Sequence, residues 1–169
     1  MGGSARRDAE IESFMRAVSP RLFRAAFLVC GDWHLAEDLV QTTLGKVFVS
    51  WGRVRKADSP PAYVRTMLMR TYLSHVRLHR TYEKPVDRLP DNPSASHDPA
   101  LRIALAGALA QLTPKDRAVV VLRYWEDRSV AQAAADLGMS AGSVRIRSMR
   151  ALAQLRASLG GEYDALVSH

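Results

Sequence analysis

The sequence has few of the features that cross-link, anchor or export a protein. Cys30 is the only cysteine among 169 residues, which excludes an internal disulfide or a Cys-rich zinc site. No segment approaches the roughly 20 apolar residues that cross a bilayer, and the residues after Met1 lack the apolar core of a signal peptide. We therefore expect a cytoplasmic protein that is neither secreted nor inserted in a membrane. Cys30 lies in an apolar run, which predicts a buried, unreactive thiol.

Positive charge, by contrast, is in excess. The 24 lysines and arginines outnumber the 17 acidic residues and give a formal net charge of +7. Such an excess favours a polyanionic partner, although charge alone does not distinguish DNA, RNA and an anionic membrane.

Hydrophobic periodicity divides the chain into two helical blocks. Residues 10–80 show helical spacing, interrupted by Pro20 and by a predicted loop at 52–61. Residues 81–98 are rich in proline and polar turn formers and predict a flexible linker. Helical spacing then resumes, and no segment indicates a strand. We predict an all-α fold with two small helical domains, residues 9–80 and 99–160, joined by that linker.

Residues 129–147 have the pattern of a helix-turn-helix. Ser129 and Ser140 are positioned to cap successive helices, and Gly138 lies where the chain must turn sharply. Such a motif places its second helix in the DNA major groove. The segment 138–159 holds four arginines and no acid, which suits phosphates and guanine edges; the alternative is a solvated basic helix end. The predicted DNA contacts are Ser140, Ser143, Arg145, Ile146, Arg147, Met149 and Arg150.

Two helices of the first block predict different partners. Residues 36–51 present Glu37, Asp38 and Gln41 outward, and an acidic face on a basic chain suits a protein partner better than DNA. The alternative is an ordinary solvated helix start, where acidic residues are favoured. Residues 63–80 combine basic and aromatic side chains without an acid, a pattern that suits unpaired, stacked or pocketed bases. We expect Tyr63 in the core, whereas Tyr72 fits either the core or a base-stacking position.

The sequence does not indicate catalysis. His75 and His79 have an i, i+4 spacing that could chelate a metal, but no third ligand lies nearby. A phosphate-binding glycine loop, a nucleophile elbow and a metalloprotease motif are all missing. We predict a protein that is not an enzyme and has no metal or other cofactor.

Several segments, in order, resemble those of sigma factors, the promoter-specificity subunits of bacterial RNA polymerase. They are AEDLVQ at 36–41 followed by Trp51, AYVRTM at 62–67, SHVR at 74–77, the segment 112–127 and GSVRIR at 142–147. The resemblance covers about residues 9–159. It is to the two-domain extracytoplasmic-function type, most like actinobacterial members.

This resemblance implies a partner for each surface. Clamp binding on the largest polymerase subunit would involve Glu37, Asp38, Leu39, Gln41 and Trp51. With the loop 53–61, recognition and melting of the −10 element would involve Arg65, Arg70, Tyr72, His75, Arg77 and Arg80. The helix-turn-helix would bind the −35 element. The polymerase flap and an anti-sigma factor are further candidate partners, and the phosphodiester chemistry and its metal would belong to the polymerase core.

Three positions depart from the family's usual pattern. Arg70 and Ser74 stand where the family often has Asn and Asp, so the usual −10 preference does not carry over directly. Ile146 replaces a common small polar residue, which leaves the −35 sequence open.

Two other functions are compatible with parts of the pattern. A helix-turn-helix regulator would bind an operator without polymerase, typically as a dimer. An adaptor or antagonist of a sigma factor would use the helices for protein contact only, but the arginine distribution argues against it.

Overall fold

The computed structural model describes residues 2–79 and 99–161, with side chains described outside 99–102. Within these ranges the chain is helical and contains no strand, which confirms the all-α prediction. The first block contains α1 (Gly2–Cys30), α2 (Trp33–Val49), α3 (Trp51–Val54) and α4 (Pro60–Leu78). The second contains α5 (Pro99–Ala110), α6 (Pro114–Val120), α7 (Val130–Leu137) and α8 (Ala141–Leu159). The predicted linker, 81–98, lies outside the described residues.

Helix α1 continues through Pro20, so the predicted interruption there is wrong. Proline removes one backbone donor from a helix, and nearby the Ser19 hydroxyl donates to the Met15 carbonyl over 2.5 Å. Residues on both sides of the proline pack in the core, including Ile11 and Leu22. Burial on both sides thus keeps the helix continuous despite the lost hydrogen bond.

The helix starts follow local signals in the sequence. Asp32 accepts from the Leu35 amide over 2.9 Å at the start of α2, and Thr113 accepts from the Asp116 amide over 3.3 Å at the start of α6. Ser59 caps α4, whose first residues are two prolines. The predicted loop at 52–61 is shorter than expected, because α3 and the first two residues of α4 occupy part of it.

The two helical blocks pack against each other. One continuous buried cluster combines first-block residues with second-block residues such as Val119 and Leu122. Arg117 of α6 donates to the carbonyl of Val29 in α1 over 3.0 Å. A second cluster joins α5, α6 and α8 around Leu109. The structure is therefore a closed arrangement of the two blocks.

A π-helical turn, Val121–Trp125, ends the helix that begins as α6. The Glu126 amide donates to the Val121 carbonyl over 2.9 Å, and Asp127 takes the left-handed conformation with φ 52°. This turn directs the Glu126 side chain into the molecule, where it is buried. Such turns often occur at functional sites, and nothing in the sequence predicted this one.

Candidate nucleic-acid interface

The helix-turn-helix has the predicted local geometry. Ser129 and Gln132 form a reciprocal capping box at the start of α7. Gly138 ends α7 in the left-handed conformation with φ 63°. Ser140 then caps α8 by accepting from the Ser143 amide over 3.1 Å. These contacts fix the angle at which α8 leaves the turn and present its outer face to solvent.

The outer face of α8 is the part of the described surface that best suits duplex DNA. Ile146 is 59% exposed and Met149 is 71% exposed, although both are large and apolar. The Arg150 side chain is 61% exposed, and Arg145 is also exposed. Val144 on the opposite face is buried. The helix therefore has the predicted division, with an inner packing face and an outer face of arginines and apolar side chains.

Arg147 differs from its neighbours on α8. Its guanidinium donates to the buried Asp116 carboxylate over 2.7 Å, and its side chain is only 25% exposed. Arg150 lies 4.0 Å from the same carboxylate. The structure thus gives Arg147 an internal role in holding α8 on α6, which its place among the predicted DNA contacts did not anticipate.

The basic helix α4 is only partly available to a ligand. Arg77 is exposed, and His75 is half-buried. Burial lowers the pKa of His75, and the neighbouring His79 lowers it further, while Asp38 opposes the change. Arg80 lies outside the described residues. Hence, of these side chains, Arg77 is the freely exposed cation.

The two tyrosines of α4 differ in exposure, and the one expected in the core is the more exposed of the two. Tyr72 is 2% exposed, and its burial raises the pKa of its phenol to about 12. It therefore belongs to the core and cannot stack on a base in this conformation. Tyr63 is 38% exposed, so the expectation that it lies in the core is wrong. Its ring, close to the start of α4, is available for stacking.

Arg65 and Arg70 face the second block. Arg65 pairs with the buried carboxylate of Glu126, which also lies 3.3 Å from the guanidinium of Arg21 in α1. Arg70 donates to the backbone carbonyl of Asp136 over 2.9 Å and to that of Ala135 over 3.3 Å. Burial raises the pKa of Glu126, against the opposing effect of Arg65 and then Arg21. Both predicted DNA-binding arginines are therefore occupied in the closed arrangement.

The acidic face of α2 is exposed as predicted. Glu37, Asp38 and Gln41 all lie on the surface, and Glu37 accepts from the indole of Trp33 over 2.8 Å. Leu39 and Trp51 were predicted with them as partner contacts. They are instead 3% and 4% exposed, because they form the packing side of the same segment.

The sequence interpretation missed an apolar edge at the end of α2. Phe48 is 46% exposed and Val49 is 84% exposed. The guanidinium of Arg7 lies 5.8 Å from the Phe48 ring centroid. The signal was present in the sequence, since these residues continue an amphipathic helix beyond its regular apolar positions.

Metal binding receives no support from the described residues. Among them, no group of three His, Cys, Asp or Glu side chains could hold an ion. The rings of His75 and His79 stack with centroids 4.2 Å apart. Over residues 2–79 and 99–161, no helix is both long enough and apolar enough to cross a membrane.

Comparison with known proteins relates both blocks to one family. Residues 14–81 match Sigma-70 region 2, and residues 102–155 match Sigma-70, region 4. An RNA polymerase sigma-E factor of Streptomyces coelicolor is 38% identical over 89% of this chain and 86% of its own length. The ECF RNA polymerase sigma factor SigL of Mycobacterium tuberculosis is 32% identical over 82% of each chain.

A solved structure has the same overall fold. It is the sigma factor RpoE in complex with the anti-sigma factor NepR from Bartonella quintana. The TM-score is 0.75 at 23% sequence identity, with coverage of 90% of this chain and 98% of that chain.

Proposed function

This chain belongs to the sigma-70 family of RNA polymerase sigma factors, in the extracytoplasmic-function group, and we propose that it directs promoter-specific initiation of transcription. In this proposal it binds core RNA polymerase and recognises the −35 and −10 elements of its promoters. The observation that carries the proposal is the succession of region 2 and region 4 in one chain, the second with an exposed recognition helix. A regulator that binds an operator alone would have no need of region 2.

The −35 element is the ligand of α8. Arg145 and Arg150 are positioned for phosphates or guanine edges, and Ile146 and Met149 for thymine methyl groups. Their exposure supports this assignment. Ser140 and Ser143 lie at the start of the same helix, where backbone amides and hydroxyls suit a phosphate.

The −10 element is the ligand of α4 and of the loop 53–61 that precedes it. Arg65, Arg70 and Arg77 supply positive charge for the phosphates. His75 supplies an imidazole ring and a hydrogen-bonding group. Tyr63 is the aromatic side chain we now assign to base stacking, because its exposure favours it over the buried Tyr72.

Core polymerase is the ligand of the α2 surface. Glu37, Asp38 and Gln41 give this surface its polar character, and Phe48 and Val49 extend it with an apolar edge. Exposed apolar side chains next to polar ones are typical of protein interfaces. Leu39 and Trp51 then act by packing, since they hold the helix in place from inside.

The domain organisation follows from this division of labour. We assign residues 9–80 to polymerase and −10 binding, residues 81–98 to a linker and residues 99–160 to −35 binding. The chain is a cytoplasmic initiation factor without catalytic activity or cofactor of its own, since polymerase supplies the chemistry. An anti-sigma factor is a further proposed partner.

Run-off transcription tests this function directly. Sigma-free bacterial core polymerase is incubated with genomic promoter fragments, with and without the protein. Specific initiation that appears only with the protein is expected, and the start sites then identify both promoter elements. DNA binding by the protein alone, with no initiation, would instead favour the operator-binding regulator. Loss of initiation on Phe48→Ala, compared with exposed Arg16→Ala as a control, would localise the polymerase surface.

A further inference from the structure

Two arginines from separate helices of the first block converge on one carboxylate of the second. Arg21 lies on α1 and Arg65 on α4, 44 positions apart in the sequence. The Glu126 carboxylate pairs with Arg65 and lies 3.3 Å from Arg21. Its side chain has no exposed surface, whereas the side chain of Arg21 is 55% exposed. The arginine pair (Arg21 and Arg65) is thus open to solvent on one side and filled by Glu126 on the other.

The fit between Glu126 and the arginine pair is electrostatic rather than directional. Both carboxylate oxygens of Glu126 and the Nε of Arg65 are buried without a well-oriented hydrogen bond among the described residues. A carboxylate held mainly by charge gains less than one held by two aligned N–H donors. Burial also raises the pKa of Glu126, which indicates that its ionised form is poorly compensated there. Glu126 is therefore an anion that another anion can displace.

A second arginine of α4, Arg70, also contacts negatively polarised groups of the second block. Arg70 donates to the last carbonyls of α7, those of Ala135 and Asp136. Carbonyls at a helix C-terminus carry partial negative charge. Arginines of the first block that suit a polyanion are thus neutralised by negative groups of the second.

We propose that the arginine pair is an anion-binding site for a phosphate of single-stranded promoter DNA, and that Glu126 occupies this site as a substitute while the two blocks are closed. The site deepens the proposed −10 recognition and rests on that function. Guanidinium groups bind carboxylate and phosphate oxygens alike in a planar, two-point manner, so a phosphate is able to take the place of the Glu126 carboxylate. Arg21, which the sequence did not single out, becomes a DNA-binding residue, and Glu126 becomes the group that keeps DNA out.

Competition between an internal and an external anion has a measurable consequence. The apparent affinity of a site falls in proportion to the fraction of molecules in which it is free. Weakening the internal anion must therefore tighten DNA binding, although it removes a contact from the folded protein. A purely structural role of Glu126 predicts no such gain.

The first test removes the charge of Glu126. Glu126→Gln keeps the shape of the side chain, and Asp127→Asn removes one charge from the adjacent exposed residue, where Asn tolerates the left-handed backbone. Binding of a fluorescein-labelled single-stranded oligothymidylate of about 20 nucleotides is followed by anisotropy. We expect Glu126→Gln to bind about threefold more tightly or better than Asp127→Asn, because more molecules have a free site. Equal affinities of the two variants would overturn the proposal.

The second test removes one arginine of the pair. Arg21→Ala is compared with Arg24→Ala, which takes the same charge from an exposed residue of the same helix. Both are made in the wild-type and in the Glu126→Gln chain, so the comparison remains available if Glu126→Gln does not fold. The observed association constant for the oligonucleotide, Kobs, falls as salt concentration rises. Only Arg21→Ala should make the plot of log Kobs against log salt concentration less steep, by about 0.7, the value for one lost contact to single-stranded DNA. Matching slopes for Arg21→Ala and Arg24→Ala would exclude Arg21 as a phosphate contact.

The two proposals fail in different ways. Circular dichroism of each variant first establishes that it is folded. A wild-type protein that does not support run-off transcription overturns the proposed function. If the wild-type protein supports run-off transcription but the folded Glu126→Gln variant binds oligothymidylate with unchanged affinity, only the anion-site proposal is overturned.

Discussion

Three arginines on α8 show how side chains of one type can differ in role according to their contacts. Arg145 is exposed, Arg150 is mostly exposed and Arg147 pairs with buried Asp116. All three were predicted from the sequence to contact DNA, since all belong to the same basic segment. Their roles follow from the direction in which α8 presents each one, towards solvent or towards α6.

We expect Arg150→Ala and Arg147→Ala to have effects in different assays. Arg150→Ala should weaken holoenzyme binding to a −35 duplex by about 1–3 kcal/mol, because a base or phosphate contact is lost, and leave core polymerase binding intact. Arg147→Ala should lower the free energy of unfolding by about 1–3 kcal/mol, because the buried Asp116 carboxylate then loses its hydrogen-bonded partner and keeps only the more distant Arg150.

Anisotropy with promoter duplex and urea unfolding measure these two quantities. Arg145→Ala is the control for stability and should change it by no more than about 0.5 kcal/mol, as is usual for an exposed side chain. Unchanged promoter affinity of the Arg150→Ala holoenzyme would count against the assignment of α8 to the −35 element.

Cys30 should be unreactive in the folded chain. Burial raises the pKa of its thiol to about 11, against the smaller opposing effect of nearby backbone groups, and its Sγ donates to the Asp32 carbonyl over 3.3 Å. Since the thiolate is the reactive form, alkylation by iodoacetamide at pH 8.5 should be much slower in the folded than in the urea-unfolded protein. Similar rates in both would show that the thiol is accessible.

The same pKa predicts a pH dependence of stability. Between the ordinary pKa of a thiol, 9.0, and about 11, the unfolded chain loses a proton that the folded chain keeps. The folded state therefore binds more protons in this window, and its stability falls as pH rises through it. Cys30→Ser should remove this contribution, measured as thermal midpoints between pH 8 and pH 11.

At the scale of single elements, short-range signals explain most of the helix-turn-helix. Ser129 and Ser140 cap the helices they were predicted to cap. Gly138 has the positive φ that the turn requires. These features depend only on neighbouring residues, which is why periodicity and capping chemistry were sufficient to predict them.

The conformation of Gly138 leads to a prediction for the turn. Gly138→Ala should destabilise the protein by about 1–2 kcal/mol, because an L-residue with a Cβ disfavours the left-handed conformation. A Cβ added to this glycine would have no neighbouring atom within 4 Å, so the cost is conformational and not a clash. Gly138→Asn should cost less, since Asn tolerates this region.

Thermal unfolding measures both variants. Gly45→Ala is the matched control, because Gly45 lies inside α2 with equally open space around it and the same change should there stabilise the helix. A Gly138→Ala variant as stable as Gly45→Ala would contradict the role of the turn.

At the scale of the whole molecule, the main feature is the packing of one block on the other. A single buried cluster includes Val29, Val64 and Leu68 of the first block with Val119 and Leu122 of the second. The ion pair of Arg65 with Glu126 and the hydrogen bonds of Arg70 lie along the same boundary. Promoter binding as proposed requires these contacts to open, since Arg65 is paired with Glu126 and Arg70 is bonded to carbonyls of α7 in the closed arrangement.

A shared core predicts that the two blocks unfold together. In a Trp125→Phe variant the remaining tryptophans, Trp33 and Trp51, belong to the first block and report on it by fluorescence. Circular dichroism of the same variant reports on both blocks. We expect the two urea transitions to coincide, as they do for a single cooperative unit.

Separate midpoints would instead show that the blocks are independently stable and only loosely associated. Glu126→Gln in the same background should move the two transitions apart, because it weakens the boundary, whereas Asp127→Asn should not. Trp125 is 45% exposed, so its replacement by Phe leaves the core itself unchanged.

The helical class, the caps, the helix-turn-helix and the family could all be predicted from the amino-acid sequence, because these depend on residues close to one another along the chain. The exposed acidic face of α2 and the exposed outer face of α8 were predicted as well. Which side chains are available to a partner depended instead on tertiary packing. Leu39, Trp51 and Tyr72 are buried, while Arg147 and Arg65 have partners 31 and 61 positions away.

The physical reason is that helical periodicity fixes which residues share a face, but not which face of another helix covers them. Arg21 and Glu126 illustrate this limit, since neither stands out in its own segment. Their proximity arises from the closure of one block on the other and from a π-helical turn that directs a carboxylate inward. The residues that set local structure could therefore be predicted along the chain, whereas the residues that we propose to control access to DNA emerged only from packing.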